Sequence, residues 1–306
     1  MRLFPSKSLI SIWILLTFIS TAYADESAVD TANDLNALYK RTADCDHGEP
    51  SYYCSGLILR GQLFRKEITE PWYLRSDSDS GSFSYIRSDV TALKGLPLYF
   101  TAITGYILTP LDEVQSKNQY AYKPACFIPW DGFTFGTASC HQSMTIDDTC
   151  TNLGIVTLSQ FFAKYLDSDP SAFAPNTSGQ HACSFSPDYD GFKLGISVDK
   201  YIYRDHPELG LAEGDDSEAY NEMVIGSWPK DKVSADHVPL KAIFITINDG
   251  GLFAKKVDNY DNPVSAAFAA ADAYKKATNR DIAVVTLDVR KMHAGETDIF
   301  SPAIRP

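Results

Sequence analysis

The apolar positions of the chain recur at two spacings. Over residues 27–40, Val29, Ala32, Leu35, Leu38 and Tyr39 return every three or four residues, which predicts a helix with Ser27 as its N-cap. Elsewhere short unbroken runs predict buried strands. The first is 55-SGLILRG-61, which ends on an arginine. Phe83–Ile86 follows, then Leu98–Leu108 inside the proline-bounded 97-PLYFTAITGYILTP-110, then Leu240–Ile247 and Ile282–Val289. Residues 158–166, LSQFFAKYL, predict a helix capped by Thr157. Residues 262–278 predict another, with Asn262 as N-cap, Pro263 at the first helical position and an alanine-rich body. Strand, helix and strand in succession near the C-terminus predict a βαβ unit. Residues 62–81 and 167–191 read as polar loop, and 112–152 is rich in cysteine and turn residues and yields no element. No repeat or linker interrupts the pattern. The expectation is a single α+β domain over residues 25–306.

Residues 1–24 follow a different pattern. Arg2 and Lys7 precede an apolar stretch, Leu9–Ile19, and Ala22-Tyr23-Ala24 follows as a small-residue cleavage site. This predicts a signal peptide cut before Asp25, and an exported protein, periplasmic or extracellular. No second apolar stretch approaches the length of a membrane span, so no membrane anchor is expected. The net charge is −12 over the 306 residues, and becomes −14 once Arg2 and Lys7 are removed. Such an acidic surface argues against nucleic acid as a partner, since phosphate binding needs a basic face.

Export changes the reading of the six cysteines, Cys45, Cys54, Cys126, Cys140, Cys150 and Cys183. An even count in an oxidising compartment predicts disulfides, and among 15 connectivities sequence neighbours are the simplest choice: Cys45–Cys54, Cys126–Cys140 and Cys150–Cys183. No C-x-x-C or H-x-x-x-H pair occurs, and the six histidines are scattered, so neither a metal nor a bound cofactor is expected. Asp77-x-Asp79-x-Gly81 lacks the acidic twelfth residue of a calcium loop, which here is Ser88.

G-x-S-x-G, P-loop and G-x-G-x-x-G motifs are absent. What remains is an ordered trio. Arg60 ends an apolar strand and could grip a diphosphate with its planar fork. Ser84, with Ser82 as its alternate, lies in the small-residue stretch Gly81-Ser82-Phe83-Ser84-Tyr85 and could orient a carboxylate. Glu222 follows Asn221, precedes Met223-Val224-Ile225, and could stabilise an oxocarbenium-like ribose. Tyr85 or Trp72 could stack on a planar ring. Glu222 also closes an acidic run of seven carboxylates over 205–222 without Lys or Arg. Whether 218-EAYNEMVIGSW-228 is strand or helix is open at this point, because Ala219, Met223 and Gly226 also share a helical face.

The order Arg60…Ser82-x-Ser84…Glu222 resembles the arginine–serine–glutamate arrangement of the cholera-toxin group of ADP-ribosyltransferases. A longer likeness is to the halovibrins, exported bacterial ADP-ribosyltransferases and NAD-glycohydrolases. It is carried by 34-DLNALYKRTADC-45, 52-YYCSGLILRG-61, 81-GSFSYIRSD-89, 221-NEMVIGSW-228, 242-AIFITINDGGL-252 and 284-VVTLDV-289, in order along nearly the whole chain after residue 24. The resemblance implies an ADP-ribosyltransferase-like sheet core and a secreted enzyme that cleaves the nicotinamide–ribose bond of NAD, as a toxin or colonisation factor. Glu222 and Ser84 would be catalytic, and Arg60, Ser82, Tyr85 and Asn221 would bind substrate. NAD would be a substrate, with water or a host or target protein as acceptor. The chain departs from arginine-targeting transferases in one respect: Tyr220 stands where their E-x-E motif has its first glutamate. That favours hydrolysis, or transfer to another acceptor. A non-catalytic secreted adhesion protein, and a hydrolase working through paired carboxylates of the acidic run, are the alternatives.

Overall fold

The computed structural model describes residues 26–62, 64, 70–74, 80–90, 104–129, 149–165, 182–202, 221–247 and 262–306. The expected signal peptide lies outside them. Among the described residues no helix is long and apolar enough to cross a membrane.

The protein is a mixed α+β structure built on one eight-stranded sheet. Its strands are β1 (Leu57–Gly61), β2 (Ser80–Ile86), β3 (Thr104–Leu108), β4 (Pro124–Ile128), β5 (Glu222–Gly226), β6 (Leu240–Ile247), β7 (Ala283–Asp288) and β8 (Phe300–Pro302), in the order β4-β5-β2-β1-β3-β6-β7-β8. All neighbours are antiparallel except β6 and β7. That parallel pair is the expected βαβ unit, and α5 (Pro263–Thr278) is its crossover helix. Asn262 caps α5 as the sequence predicts, accepting from Val264 N at 2.9 Å. Among the described residues the other helices of eight residues or more are α1 (Glu26–Lys40), α3 (Leu158–Tyr165) and α4 (Tyr189–Lys200); α2 (Leu111–Val114) and α6 (Val289–His293) are single turns. Ser27, expected as a cap, is the second residue of α1.

Both faces of the sheet are covered. On one, Ala32, Leu35 and Tyr39 of α1 pack with Leu57, Leu59, Ile107, Phe244, Val285 and Leu287. On the other, α4 and α5 enclose an aromatic core that includes Phe83, Tyr85, Tyr106, Phe127, Phe192 and Trp228. The structure adds elements that the sequence reading did not yield, β4 and α4 among them. Strand β4 lies in the stretch that gave no element, and α4 begins inside the expected loop 167–191. Gly191 and Gly195 lower the helix propensity of α4, yet both are needed for close packing. A Cβ on Gly191 would stand 1.9 Å from Ser186 Oγ, and one on Gly195 would stand 2.7 Å from the Phe127 ring.

Two of the expected disulfides are present, Cys45–Cys54 and Cys150–Cys183, with Cα separations of 5.8 and 5.0 Å. Cys126 is also disulfide-bonded, and Cys140 lies outside the described residues.

Candidate functional site

Strand β2 serves two neighbours with different halves of its length. Its register with β1 runs from Leu57↔Ile86 to Leu59↔Ser84. Its register with β5 runs from Ser80↔Gly226 to Phe83↔Met223. Beyond Leu59, Arg60 and Gly61 continue along β3 instead, opposite Tyr106 and Gly105. Arg60, the Ser82–Ser84 stretch and Glu222 therefore come from three adjacent strands, near the point where β1 parts from β2.

Glu222 is the first residue of β5, so the strand reading of 221–228 holds over Glu222–Gly226. Met223, Val224 and Ile225 are fully buried there, as a run with two β-branched residues favours. Glu222 is itself only 1% exposed, and its Oε1 accepts a hydrogen bond from Ser82 Oγ. Ser82 pairs with Val224, so the long glutamate side chain reaches one pleat along β2 to meet it. Ser84 was expected to orient the carboxylate. Its hydroxyl instead donates to the Asn221 carbonyl, because the backbone of residue 221 lies within reach of that short side chain.

The Asn221 amide is engaged inside the fold. Its Oδ1 accepts from Tyr85 N at 3.0 Å and its Nδ2 donates to Tyr85 O at 2.8 Å. The same Nδ2 lies 3.5 Å from Oδ2 of Asp199, a fully buried carboxylate on α4. Tyr85, considered above as a ring-stacking residue, is also core. Its ring meets Phe192 edge-on at 5.2 Å, and its hydroxyl donates to Ser55 O at 2.9 Å. Trp72 is buried edge-on against Tyr274. Arg87, the last residue of the 82-SFSYIR-87 motif, is held by Asp89 at 2.5 Å, and Asp89 also receives Lys200 at 2.5 Å.

Arg60 is half-buried, with its guanidinium carbon 5.6 Å from the centre of the Phe83 ring. Among the described residues no carboxylate meets it. Tyr106, its cross-strand partner, has a buried hydroxyl that meets no hydrogen-bond partner among the described residues. Burial pushes the Tyr106 pKa up to about 12, against the pull of the nearby Arg60 charge. A Cβ on Gly81 would stand 2.5 Å from Arg60 Nη1, so the glycine leaves the space that the guanidinium fills. Gly81 and Phe83 alternate with Ser82 and Ser84 along β2, so Arg60 lies on the other side of the pleat from the Ser82–Glu222 pair. The structure thus brings Ser82 to Glu222 and Ser84 to Asn221, and sets Arg60 beside the same segment without contact to the carboxylate.

Sequence reasoning missed Asp199 and Gly81. The signal for Asp199 was an acid in the apolar run Ile196-Ser-Val-Asp199; Gly81 gave none without a register. The six other acids of the run 205–222 lie outside the described residues, and no cluster of three or more metal-ligating side chains occurs among those described. In comparisons with known proteins, no family model, no curated protein and no solved structure matches the chain.

Proposed function

We propose that this protein is a secreted NAD-consuming enzyme that cleaves the nicotinamide–ribose bond, by hydrolysis or by ADP-ribosyl transfer, on an ADP-ribosyltransferase-like sheet core. One observation carries the reading: Glu222 is a buried carboxylate held by a serine of the neighbouring strand β2, and β1 on the other side of β2 carries Arg60 as its last residue but one, unpaired with any described carboxylate. This is the order Arg60…Ser82-x-Ser84…Glu222 turned into adjacent strands β1, β2 and β5.

The chemistry follows from charge. As the C1′–N bond breaks, its electron pair goes to the nicotinamide ring nitrogen, which leaves neutral, and the ribose gains positive charge. The Glu222 carboxylate accepts a hydrogen bond from the ribose 2′-hydroxyl and stabilises that cation more than it stabilises the bound substrate. Ser82 holds the carboxylate at one oxygen. Water then attacks C1′ and loses a proton, giving ADP-ribose; an acceptor side chain in its place gives the transferred product. Arg60 is assigned to the diphosphate by its place in the motif; it lies across the β2 pleat from Glu222, so NAD has to reach both sides of that strand. The Tyr220-Asn221-Glu222 sequence supplies no second glutamate to activate an arginine acceptor, which favours water.

Incubating the protein without residues 1–24 with NAD, and separating nicotinamide from ADP-ribose by chromatography, tests the reading. Equimolar release of both products is expected. NAD recovered intact, with the protein folded, would favour the adhesion-protein alternative.

A further inference from the structure

Main-chain pairing between β2 and β5 stops at Phe83↔Met223, one residue short of Glu222. Further along β2, Tyr85 presents an N–H and a C=O on the side toward β5. Both are taken by the Asn221 carboxamide, at 3.0 and 2.8 Å, as a strand backbone would take them. The chain uses the same device elsewhere: Asn36 of α1 meets the N–H and the C=O of Phe300, both at 2.9 Å, and fixes that helix against β8. At Asn221 the device is locked twice more. Ser84 Oγ donates to the Asn221 carbonyl, and the Asp199 carboxylate lies 3.5 Å from Nδ2, so a flipped amide would set two oxygens against each other.

We propose that Asn221 and Asp199 form a positioning clamp that fixes the first residue of β5, and so holds the Glu222 carboxylate against Ser82. This deepens the reading of Glu222 as the group beside the ribose and rests on it for its effect on rate. Asn221 is a positioning residue, since its amide is occupied by Tyr85 and Asp199. The clamp ties the site to α4, 22 residues earlier in the chain, through the contact between Asn221 and Asp199.

Three variants test the clamp. Asn221→Asp keeps the acceptor for Tyr85 N–H, removes the donor and sets a second carboxyl group against that of Asp199. Asp199→Asn replaces that carboxyl with an amide. The double variant Asn221→Asp/Asp199→Asn reverses donor and acceptor between the two positions. The expected result is that Asn221→Asp lowers kcat for nicotinamide release by about ten- to a hundredfold, the scale of a misplacement of roughly 1 Å. The Kd for NAD stays within about twofold, and the double variant recovers part of the loss. Carbon-13 NMR of the Glu222 carboxylate reports its hydrogen-bonded state without any turnover, and its signal is expected to move in Asn221→Asp and to return partway in the double variant. Unchanged kcat and carboxylate signal in Asn221→Asp, or a double variant no better than the single one, would overturn the clamp. If the carboxylate signal moves and returns while wild type releases no nicotinamide, the clamp stands and the NAD reading fails.

Discussion

Ser82 and Ser84 are two residues apart on one strand, and the structure gives them different partners, so replacing each with alanine separates a chemical role from a structural one. Ser82→Ala removes the hydrogen bond to a buried carboxylate. A bond to a charged group is worth about 1.5–3 kcal/mol. If the loss falls on the placement of charge in the transition state, the rate drops about ten- to a hundredfold, at 1.36 kcal/mol per factor of ten. Ser84→Ala removes a bond from a hydroxyl to the Asn221 backbone carbonyl. That neutral bond contributes about 0.5–1.5 kcal/mol, and its loss lowers Tm by a few degrees in a chain of this size. The assay pairs initial rates of nicotinamide release with thermal unfolding for both variants. The expected pattern is a rate effect concentrated in Ser82→Ala and a smaller rate effect with lowered Tm in Ser84→Ala. A larger rate loss in Ser84→Ala would refute the assignment of Ser82 as the residue that holds Glu222.

The remaining predictions concern Arg60, the first disulfide and the acid limb of stability. Arg60→Lys keeps the charge but loses the fork, and Gly81→Ala puts a methyl 2.5 Å from Nη1, where the flexible guanidinium can swing away. Both are expected to weaken NAD binding, measured by calorimetry, with little change in Tm. Cys45→Ser/Cys54→Ser opens a bridge across a sequence separation of 9. A stability loss of about 2–3 kcal/mol is expected in denaturant unfolding, together with looser packing of Tyr85, whose hydroxyl is held by the adjacent Ser55 carbonyl. Burial alone would raise the Asp89 pKa, but the hydrogen bonds from Arg87 and Lys200 outweigh it and hold the carboxyl below its ordinary value. Its contribution is therefore present in full above the ordinary aspartate pKa and is lost as pH falls through the depressed folded value. Asp89→Asn should accordingly destabilise the protein at neutral pH and flatten its acid unfolding limb.

The elements that were legible in the sequence are those whose local signals agree with their packing. Helix α5 has a cap, an N-terminal proline and an alanine body, and β6 and β7 are rich in apolar and β-branched residues, so a βαβ unit followed from their order. Strand β4 was hidden because Pro124 and Cys126 look like turn residues, and α4 because Gly191 and Gly195 serve contacts with distant residues. At the candidate site the residue types Arg60, Ser82, Ser84 and Glu222 could be read from order. Which serine meets Glu222 could not, since a shift of one residue in register exchanges the faces of a strand. The engagement of Asn221 and Tyr85 within the fold was equally out of reach, because their partners lie 136 residues apart in sequence.

In the proposed mechanism Glu222 stabilises positive charge on the ribose of NAD. Glu222→Gln keeps the size of the side chain and an acceptor for Ser82 while removing the charge. Loss of one preorganised electrostatic group costs about 10²–10³ in rate. The direct measurement is single-turnover nicotinamide release by wild type, Glu222→Gln and Glu218→Gln, with NAD affinity determined alongside. Glu218 lies four residues earlier in the acidic run, outside the described residues, and serves as the control. Glu222→Gln is expected to fold, bind NAD and release nicotinamide at least about a hundredfold more slowly, while Glu218→Gln matches wild type. Equal rates in the two variants would contradict that mechanism.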